Sequence, residues 1–407
     1  MIIQPARRTA SVQEYYFSRK LKEIASLDRQ RQASGLPPVI NLGIGAPDGM
    51  PPAAAVEALC DSARRSDTHA YQSYIGTDAL RNAFADWYRR WYGVSLDPSC
   101  EIQPLVGSKE GILLTALAFL DKGDGVLVPD PGYPTYTSAS QLAEARILTY
   151  ELREENRWQP DFDALEAMDL SGVKILWVNY PHMPTGAPAS PELFARIVDF
   201  ALRHKILVVN DNPYSFILSE KPLSILSVPG AGECCLELNS LSKAHNMSGW
   251  RIGMAAGNRS LIAELLKVKS QMDSGMFKPL QLAAVEALKQ GPEWFHALNE
   301  EYARRRVLAG ALFDTIGARY DPASQGLFLW GRIAADNPLA AGIPGETRSL
   351  GERVSDTLLH RAGVFITPGF IFGRGGSDYV RVSLCAKPDV LETAREQVTN
   401  LLTFGKS

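Results

Sequence analysis

The chain has 407 residues, 45% of them hydrophobic and 21% charged, with a formal net charge of −3. So small a charge argues against a broad electrostatic nucleic-acid surface, and no apolar run is long enough to form a membrane-spanning helix. The length allows a large buried core and suits two domains.

Residues 1–20 carry Arg7 and Arg8 but no apolar signal-peptide core, so a cytoplasmic enzyme is expected. In chain order, residues 11–32 read as a helix, stopped by Gly35 and Pro37-Pro38. Residues 39–49 read as a short strand entering a Gly/Pro-rich loop. Residues 79–92 read as a helix with Leu80, Phe84, Trp87, Tyr88 and Trp91 on one side. Short apolar runs at 125–129, 172–178, 206–209 and 234–238 then alternate with helical segments at 111–120, 134–142 and 191–204. That alternation is the signature of helices covering a largely parallel sheet.

Beyond 253–257, helices are expected at 261–272, 280–289 and 293–313. Strands follow at 327–333, 364–367 and 379–384, with helices at 353–362 and 388–402. The expected fold is α/β: a three-layer large domain with a mostly parallel sheet, and a smaller α/β domain built from both chain ends. Its expected division is an N-terminal arm and part of the small domain at 1–48, the large domain at 49–292 and the rest of the small domain at 293–407. Cys60, Cys100, Cys234, Cys235 and Cys385 form no CxxC pair, and Cys234 and Cys235 are expected on opposite faces of a strand. Neither a disulfide framework nor a metal site is expected.

Parallel sheets bind ligands beyond the carboxyl ends of their strands, so the loops there carry the chemical signal. Ser240-Leu241-Ser242-Lys243 follows the 234–238 run, and Arg251 stands eight residues after Lys243. A desolvated lysine is a nucleophile toward carbonyls, and an arginine fork suits phosphate. Gly107-Ser108-Lys109-Glu110-Gly111 joins a strand to a helix; it suits either an anion site or plain capping by Ser108. Asp211, ending the 206–209 run, is a buried carboxylate needing a partner or a turn residue before Pro213. Asn179-Tyr180-Pro181-His182-Met183-Pro184-Thr185-Gly186 makes a rigid loop after another strand. Arg381 lies in the 379–384 run; turned inward it requires an anion, turned outward it is an edge charge.

Together with Asn41-Leu42-Gly43-Ile44-Gly45-Ala46-Pro47-Asp48, these loops resemble, in order, those of fold-type-I, class I/II aminotransferases of the aspartate aminotransferase superfamily. The resemblance runs through almost the whole chain. It implies a pyridoxal 5'-phosphate enzyme that moves an amino group between an L-amino acid and a 2-oxo acid. A lyase or synthase on the same scaffold is the alternative. A DNA-binding regulator fits poorly, since no basic helix-turn-helix segment precedes residue 71.

Residue by residue, Lys243 resembles the lysine that holds the cofactor as a Schiff base and shuttles a proton. Asp211 resembles the carboxylate that keeps the pyridine nitrogen protonated, and Tyr214 the tyrosine at the phenolic oxygen. Tyr133 resembles the aromatic stacked on the ring, and Asn179 is grouped with the cofactor contacts. Ser108, the Lys109 backbone, Ser240, Ser242 and Arg251 are expected at the phosphate. Tyr71, with Tyr74 as its competitor, resembles a tyrosine reaching the neighbouring subunit's phosphate, which implies a homodimer with shared sites. Arg381 and the Gly45 backbone are expected to hold the substrate carboxylate.

One position departs from the pattern: Met183 stands where the family has the asparagine of Asn-Pro-Thr-Gly. A thioether cannot donate to the cofactor's phenolate, so the phenolate is expected to hold the Schiff-base proton more tightly. Asn179 and His182 are the candidate substitutes. Residues 267–278 contain no arginine for a distal carboxylate, which disfavours strict aspartate specificity. Lys267, Lys269 and Lys278 are alternatives to it, and Met276 and Phe277 suit either an apolar substrate or the core.

Overall fold

A computed structural model of the chain describes residues 3–12, 14–342 and 345–404. Its main sheet has seven strands: β2 (Ile102–Leu105), β3 (Gly125–Asp130), β4 (Arg146–Glu151), β5 (Val173–Val178), β6 (Leu207–Asp211), β7 (Cys235–Ser240) and β8 (Gly253–Gly257). β1 (Ile40–Asn41) precedes them outside this sheet. The spatial order is β2-β8-β7-β6-β5-β3-β4, and only β8 runs against the rest.

Helices cover the sheet because the inner strands are apolar on both faces. Ile175, Leu176, Trp177, Val208, Val209, Leu236 and Leu238 are fully buried. Glu237, in the centre of β7, is buried as well and is held by four donors: Tyr88 Oη at 2.9 Å, Ser224 Oγ at 2.7 Å, Asn210 Nδ2 at 2.9 Å and the Ile225 N–H at 3.0 Å. That network ties β6 to β7 directly under the loops of interest. The helix Pro191–His204 is stopped and started by local chemistry: Ser190 Oγ accepts from the Leu193 N–H, Pro191 opens the first turn, and Lys205 closes it in the left-handed region.

A second body contains the antiparallel sheet β12-β13-β10-β9, made of β9 (Ala318–Tyr320), β10 (Phe328–Ile333), β12 (Thr367–Pro368) and β13 (Tyr379–Ser383). β1 pairs in parallel with β11 (Val364–Phe365), so the chain's beginning joins its end. The helices Pro292–Ile316 and Pro388–Phe404 pack together beside this sheet.

The mixed α/β architecture with a large, mostly parallel sheet agrees with the sequence expectation, and several elements differ in detail. The expected helix at 11–32 begins only at Tyr16 and runs Tyr16–Ala33, after a short helix Arg7–Ala10; Gln13 lies outside the described residues. The strand expected at 39–49 shrinks to Ile40–Asn41. Beyond it, Gly43 and Gly45 pass so close to the Phe365 and Phe328 rings that an added Cβ would come within 2.3 and 2.2 Å of them. The strand expected before Gly107 is β2, which contains Pro104; β4 was not anticipated, being an edge strand with half of its positions exposed. Cys234 and Cys235 do not face opposite ways. Cys234 ends the short helix Ala231–Cys234 and Cys235 starts β7, which brings their sulfurs to 3.7 Å.

Candidate active site

The carboxyl ends of the parallel strands lie on one edge of the main sheet, and the loops leaving them enclose a cavity of about 490 Å³. β2 leads to Ser108, β3 to Tyr133 and β5 to Asn179, while β6 ends on Asp211 and β7 on Ser240. Because β8 is antiparallel, its first residue Gly253 pairs with both Leu105 and Ser240 and carries Arg251 to the same edge.

At one end of the cavity the lining is an anion cradle. Ser108 opens the helix Ser108–Phe119, whose first N–H groups have no partners within the helix. Gly107, just before it, sits at φ +79° and ψ 157°, a region only glycine occupies readily. A Cβ there would lie 2.2 Å from Arg251 Nη2, so this glycine makes room for the guanidinium. Arg251 donates to Ser248 O at 2.9 Å and Ser242 Oγ at 3.4 Å, and the Ser242 N–H donates to Ser240 Oγ at 3.1 Å. Hydroxyls, a helix N-terminus and an arginine together form a donor set for a phosphate-like group.

In the middle stand two groups that burial has displaced in protonation. Burial raises the Asp211 carboxyl to about 7, against the hydrogen bond from Tyr136 Oη at 3.0 Å. Its Oδ1 is buried without a partner. Burial lowers the Lys243 ammonium from its ordinary value, and Nζ donates to Gly45 O at 2.6 Å. Tyr214 and Tyr133 line the same space, and Tyr133 meets Tyr136 edge-on at 5.6 Å. Tyr136 is itself stacked on Trp177 at 5.1 Å, which fixes the donor under Asp211.

At the far end is Arg381, turned inward from β13. It donates to Gly43 O at 2.7 Å and Met183 Sδ at 3.3 Å, and its Nε has no partner. Phe328 and Phe372 pack on the guanidinium with ring centroids at 3.9 and 4.7 Å. Burial lowers it to about 10. Among the described residues this buried cation has no carboxylate partner, which makes it a site for an anion. Of the expected substitutes for the missing asparagine, Asn179 spends its amide on Asp211 O and on the Met183 N–H, and buried His182 bonds Thr185 Oγ1 at 2.8 Å through Nδ1, its Nε2 unpartnered, outside the cavity lining.

Of the residues singled out from sequence, Gly45, Ser108, Lys109, Tyr133, Asn179, Asp211, Tyr214, Ser240, Ser242, Lys243, Arg251 and Arg381 come together in this cavity. Tyr71 does not: it is 91% exposed on the surface, and Tyr74 is also exposed there. Lys267, Lys269 and Lys278 lie outside the cavity, paired with Glu264, with Glu110 and Asp273, and with Asp67. Met276 belongs to the core, and Phe277 is exposed. The sequence reading missed Tyr136, whose one signal is its place three residues after Tyr133 in a helix opened by Pro134. It also missed Tyr15, Phe17 and Leu21, which line the cavity from the N-terminal arm and carry no local signal.

Residues 37–398 match the family model described as aminotransferase class I and II. An LL-diaminopimelate aminotransferase of Aquifex aeolicus is 38% identical over 95% of this chain and 99% of its own. Among solved structures, substrate-bound BacF from Bacillus subtilis superposes with a TM-score of 0.88 at 32% identity, covering 98% of both chains. A Thermus thermophilus aspartate aminotransferase double mutant superposes with a TM-score of 0.86 at 26% identity, over 98% of this chain and all of that one.

Proposed function

The chain belongs to the class I and II aminotransferase family, and we propose that the Lys243 cavity is where it binds its pyridoxal phosphate and exchanges amino groups between amino acids and 2-oxo acids. The observation that carries this placement is the unpartnered, buried Oδ1 of Asp211. A protonated pyridine nitrogen supplies the cation that this carboxylate lacks, and the Gly107–Arg251 cradle fits the phosphate. When bound, the cofactor supplies the carbonyl that receives the amine and a ring that draws electrons away from the substrate carbon.

The chain's own residues do the rest. Lys243 anchors the cofactor, and its Nζ, once freed, takes and returns the proton at the substrate Cα. Its lowered proton affinity keeps part of the amine neutral for that task. Asp211 keeps the pyridine nitrogen charged. Tyr214 would hold the phenolic oxygen and Tyr133 would cover the ring, both lining the cavity. Ser108, the Lys109 backbone, Ser240, Ser242 and Arg251 hold the phosphate. Arg381, with the Gly43–Gly45 backbone beside it, takes the substrate carboxylate and fixes the orientation of the breaking bond. Asn179 acts at one remove, bracing the Asp211 and Met183 backbones. Borohydride reduction and peptide mapping test the assignment: the cofactor label is expected on Lys243, and a label on another lysine overturns it.

Two further outcomes follow from the cradle and from Met183. Gly107→Ala forces a strained backbone and displaces Arg251; at about 1–3 kcal/mol for a side chain in that glycine-only conformation, cofactor affinity is expected to fall about tenfold or more, measured by dialysis and retitration. Met183→Asn restores a donor at the phenolate. The pH midpoint of the cofactor's visible band is expected to be higher in the natural chain than in this variant, and equal or reversed midpoints count against the reading.

The proposed homodimer is supported by Tyr71 and Phe277, exposed aromatics available to a second copy, with Tyr71 (or Tyr74) reaching the neighbour's phosphate. Five free cysteines support a reducing, cytoplasmic setting. Among the described residues no helix is long and apolar enough to cross a membrane. A domain division at 1–48, 49–292 and 293–407 is supported by the two separate sheets and by the β1–β11 pairing. The relatives' name offers diaminopimelate as one donor. Its distal end carries both an ammonium and a carboxylate, yet the cavity's single carboxylate is Asp211, at the ring end.

A further inference from the structure

The helix Tyr16–Ala33 is fastened to the second body. Lys20 Nζ pairs with Asp356 Oδ1 at 3.2 Å, the Tyr16 ring meets Phe370 edge-on at 5.8 Å, and Ile24 packs with Leu359 and Phe365. From that anchorage its first turn crosses the mouth of the cavity. Lys109 Nζ lies 4.7 Å from the Tyr15 ring centroid, and Tyr15 and Tyr133 both line the cavity. The Phe17 ring centroid stands 5.9 Å from Arg381 Cζ.

A carboxylate held by Arg381 puts the substrate Cα one bond away, so the side chain starts beside the Phe17 and Phe372 rings, 5.9 and 4.7 Å from Arg381 Cζ. Leu21 and Ile44 line the same cavity, and Ser18 adds one hydroxyl to it from the N-terminal helix. Tyr15, Phe17, Tyr133 and Phe372, with Ser18 and Lys109, also line the larger groove of about 1390 Å³ outside, so the partition between the two spaces is mainly aromatic. Among the cavity's cations, Lys243, Arg251 and Arg381 already have partners in the proposed site, and Lys109 points its ammonium at Tyr15. Among the described residues of this cavity, a distal ammonium finds no second carboxylate.

We infer that this enzyme prefers donors with bulky apolar or aromatic side chains, and that Phe17 and Leu21 of the N-terminal helix set that preference. The inference rests on the placement of the substrate carboxylate at Arg381. It makes the arm a specificity element: a segment without catalytic chemistry that decides which side chain the carboxylate site can accept.

The test is a donor panel on the purified holoenzyme: L-phenylalanine, L-leucine, L-alanine, L-aspartate and LL-diaminopimelate, each followed by loss of the cofactor's visible band and by steady-state kcat/KM. L-phenylalanine and L-leucine are expected to exceed L-aspartate and LL-diaminopimelate by about tenfold or more, the scale of discrimination an apolar pocket provides. In Phe17→Ala, kcat/KM for L-phenylalanine is expected to fall about tenfold further than that for L-alanine, and Phe17→Leu to restore most of the ratio. A charged donor equal to or better than L-phenylalanine overturns the inference, as does a Phe17→Ala that lowers both apolar donors by one factor. Those results leave the cofactor site standing. No band loss with any donor overturns the reading of the site and this inference with it. Should Phe17→Ala fail to fold, the panel on the natural enzyme decides alone.

Discussion

Lys243→Ala is expected to abolish amino-group transfer, lowering kcat by about 10²–10⁴-fold or more, the range of a single general acid–base contribution. The loss is expected at the upper end, because in the proposed site one nitrogen both anchors the cofactor and moves the Cα proton. The variant removes the Nζ–Gly45 O bond but leaves the phosphate cradle intact, so the readout is single-turnover loss of the donor band with cofactor content measured alongside. Activity within tenfold of the natural enzyme would falsify the assignment. The cofactor-free proteins offer a second check. Burial lowers the Lys243 ammonium, so below its unfolded value of about 10.4 the folded chain binds fewer protons than the unfolded one. Natural stability therefore rises with pH across the window from the lowered value to about 10.4. Lys243→Ala lacks that term. Its Tm relative to the natural chain is expected to decline steadily as pH rises through this window.

Asp211→Asn is expected to be nearly as damaging, for a different reason. An amide cannot hold the ring nitrogen's charge, and leaving one member of a buried ion pair unpaired costs about 3–5 kcal/mol. At about 1.36 kcal/mol per decade that is a loss of roughly two to four decades in kcat/KM, with weakened cofactor retention. In the absence of cofactor the sign inverts. Burial raises the carboxyl to about 7 from an unfolded value of about 3.9, so between these values the folded chain binds more protons than the unfolded one. The stability from the neutral carboxyl is fully present below about pH 3.9 and is lost as pH rises through about 7. The asparagine variant carries no such loss. Thermal melts of both apo proteins at acid and mildly alkaline pH are expected to show the variant gaining on the natural chain as pH rises, by on the order of 4 kcal/mol. A constant difference would show that Asp211 does not titrate there.

How much of this was legible in the sequence depends on how locally each feature is encoded. The main-sheet strands were readable wherever both faces are buried, as in 172–178 and 206–209, since continuous apolar runs have no competing explanation at that length. β4 escaped because an edge strand keeps water on much of its surface and so lacks the pattern. The 39–49 segment misled for the opposite reason. Its apolar and glycine residues serve the close passage of Gly43 and Gly45 over the Phe365 and Phe328 rings, not strand pairing. Cys234 and Cys235 illustrate a boundary effect, since a helix ending between them rotates one sulfur toward the other.

The sequence by itself determined the kind of protein this is. Lys243, Asp211, Arg251 and Arg381 each follow or occupy a strand in a fixed order, and it is the resemblance of those loops to one family that implies the cofactor, with a lyase or synthase left as the alternative reaction. Periodicity and motif spacing are short-range properties, so they survive without coordinates. Only the tertiary structure decided what surrounds those groups. The antiparallel turn of β8 brings Arg251 beside Gly107, the Tyr136 hydroxyl supports Asp211, and Met183 faces Arg381 with its sulfur. The N-terminal arm is the clearest case. Nothing within residues 15–21 announces a substrate wall, because their role comes from ion-pair and ring contacts to residues more than 300 positions away. Such long-range packing, fixed by burial and not by local pattern, is what places Phe17 and Leu21 over the cavity.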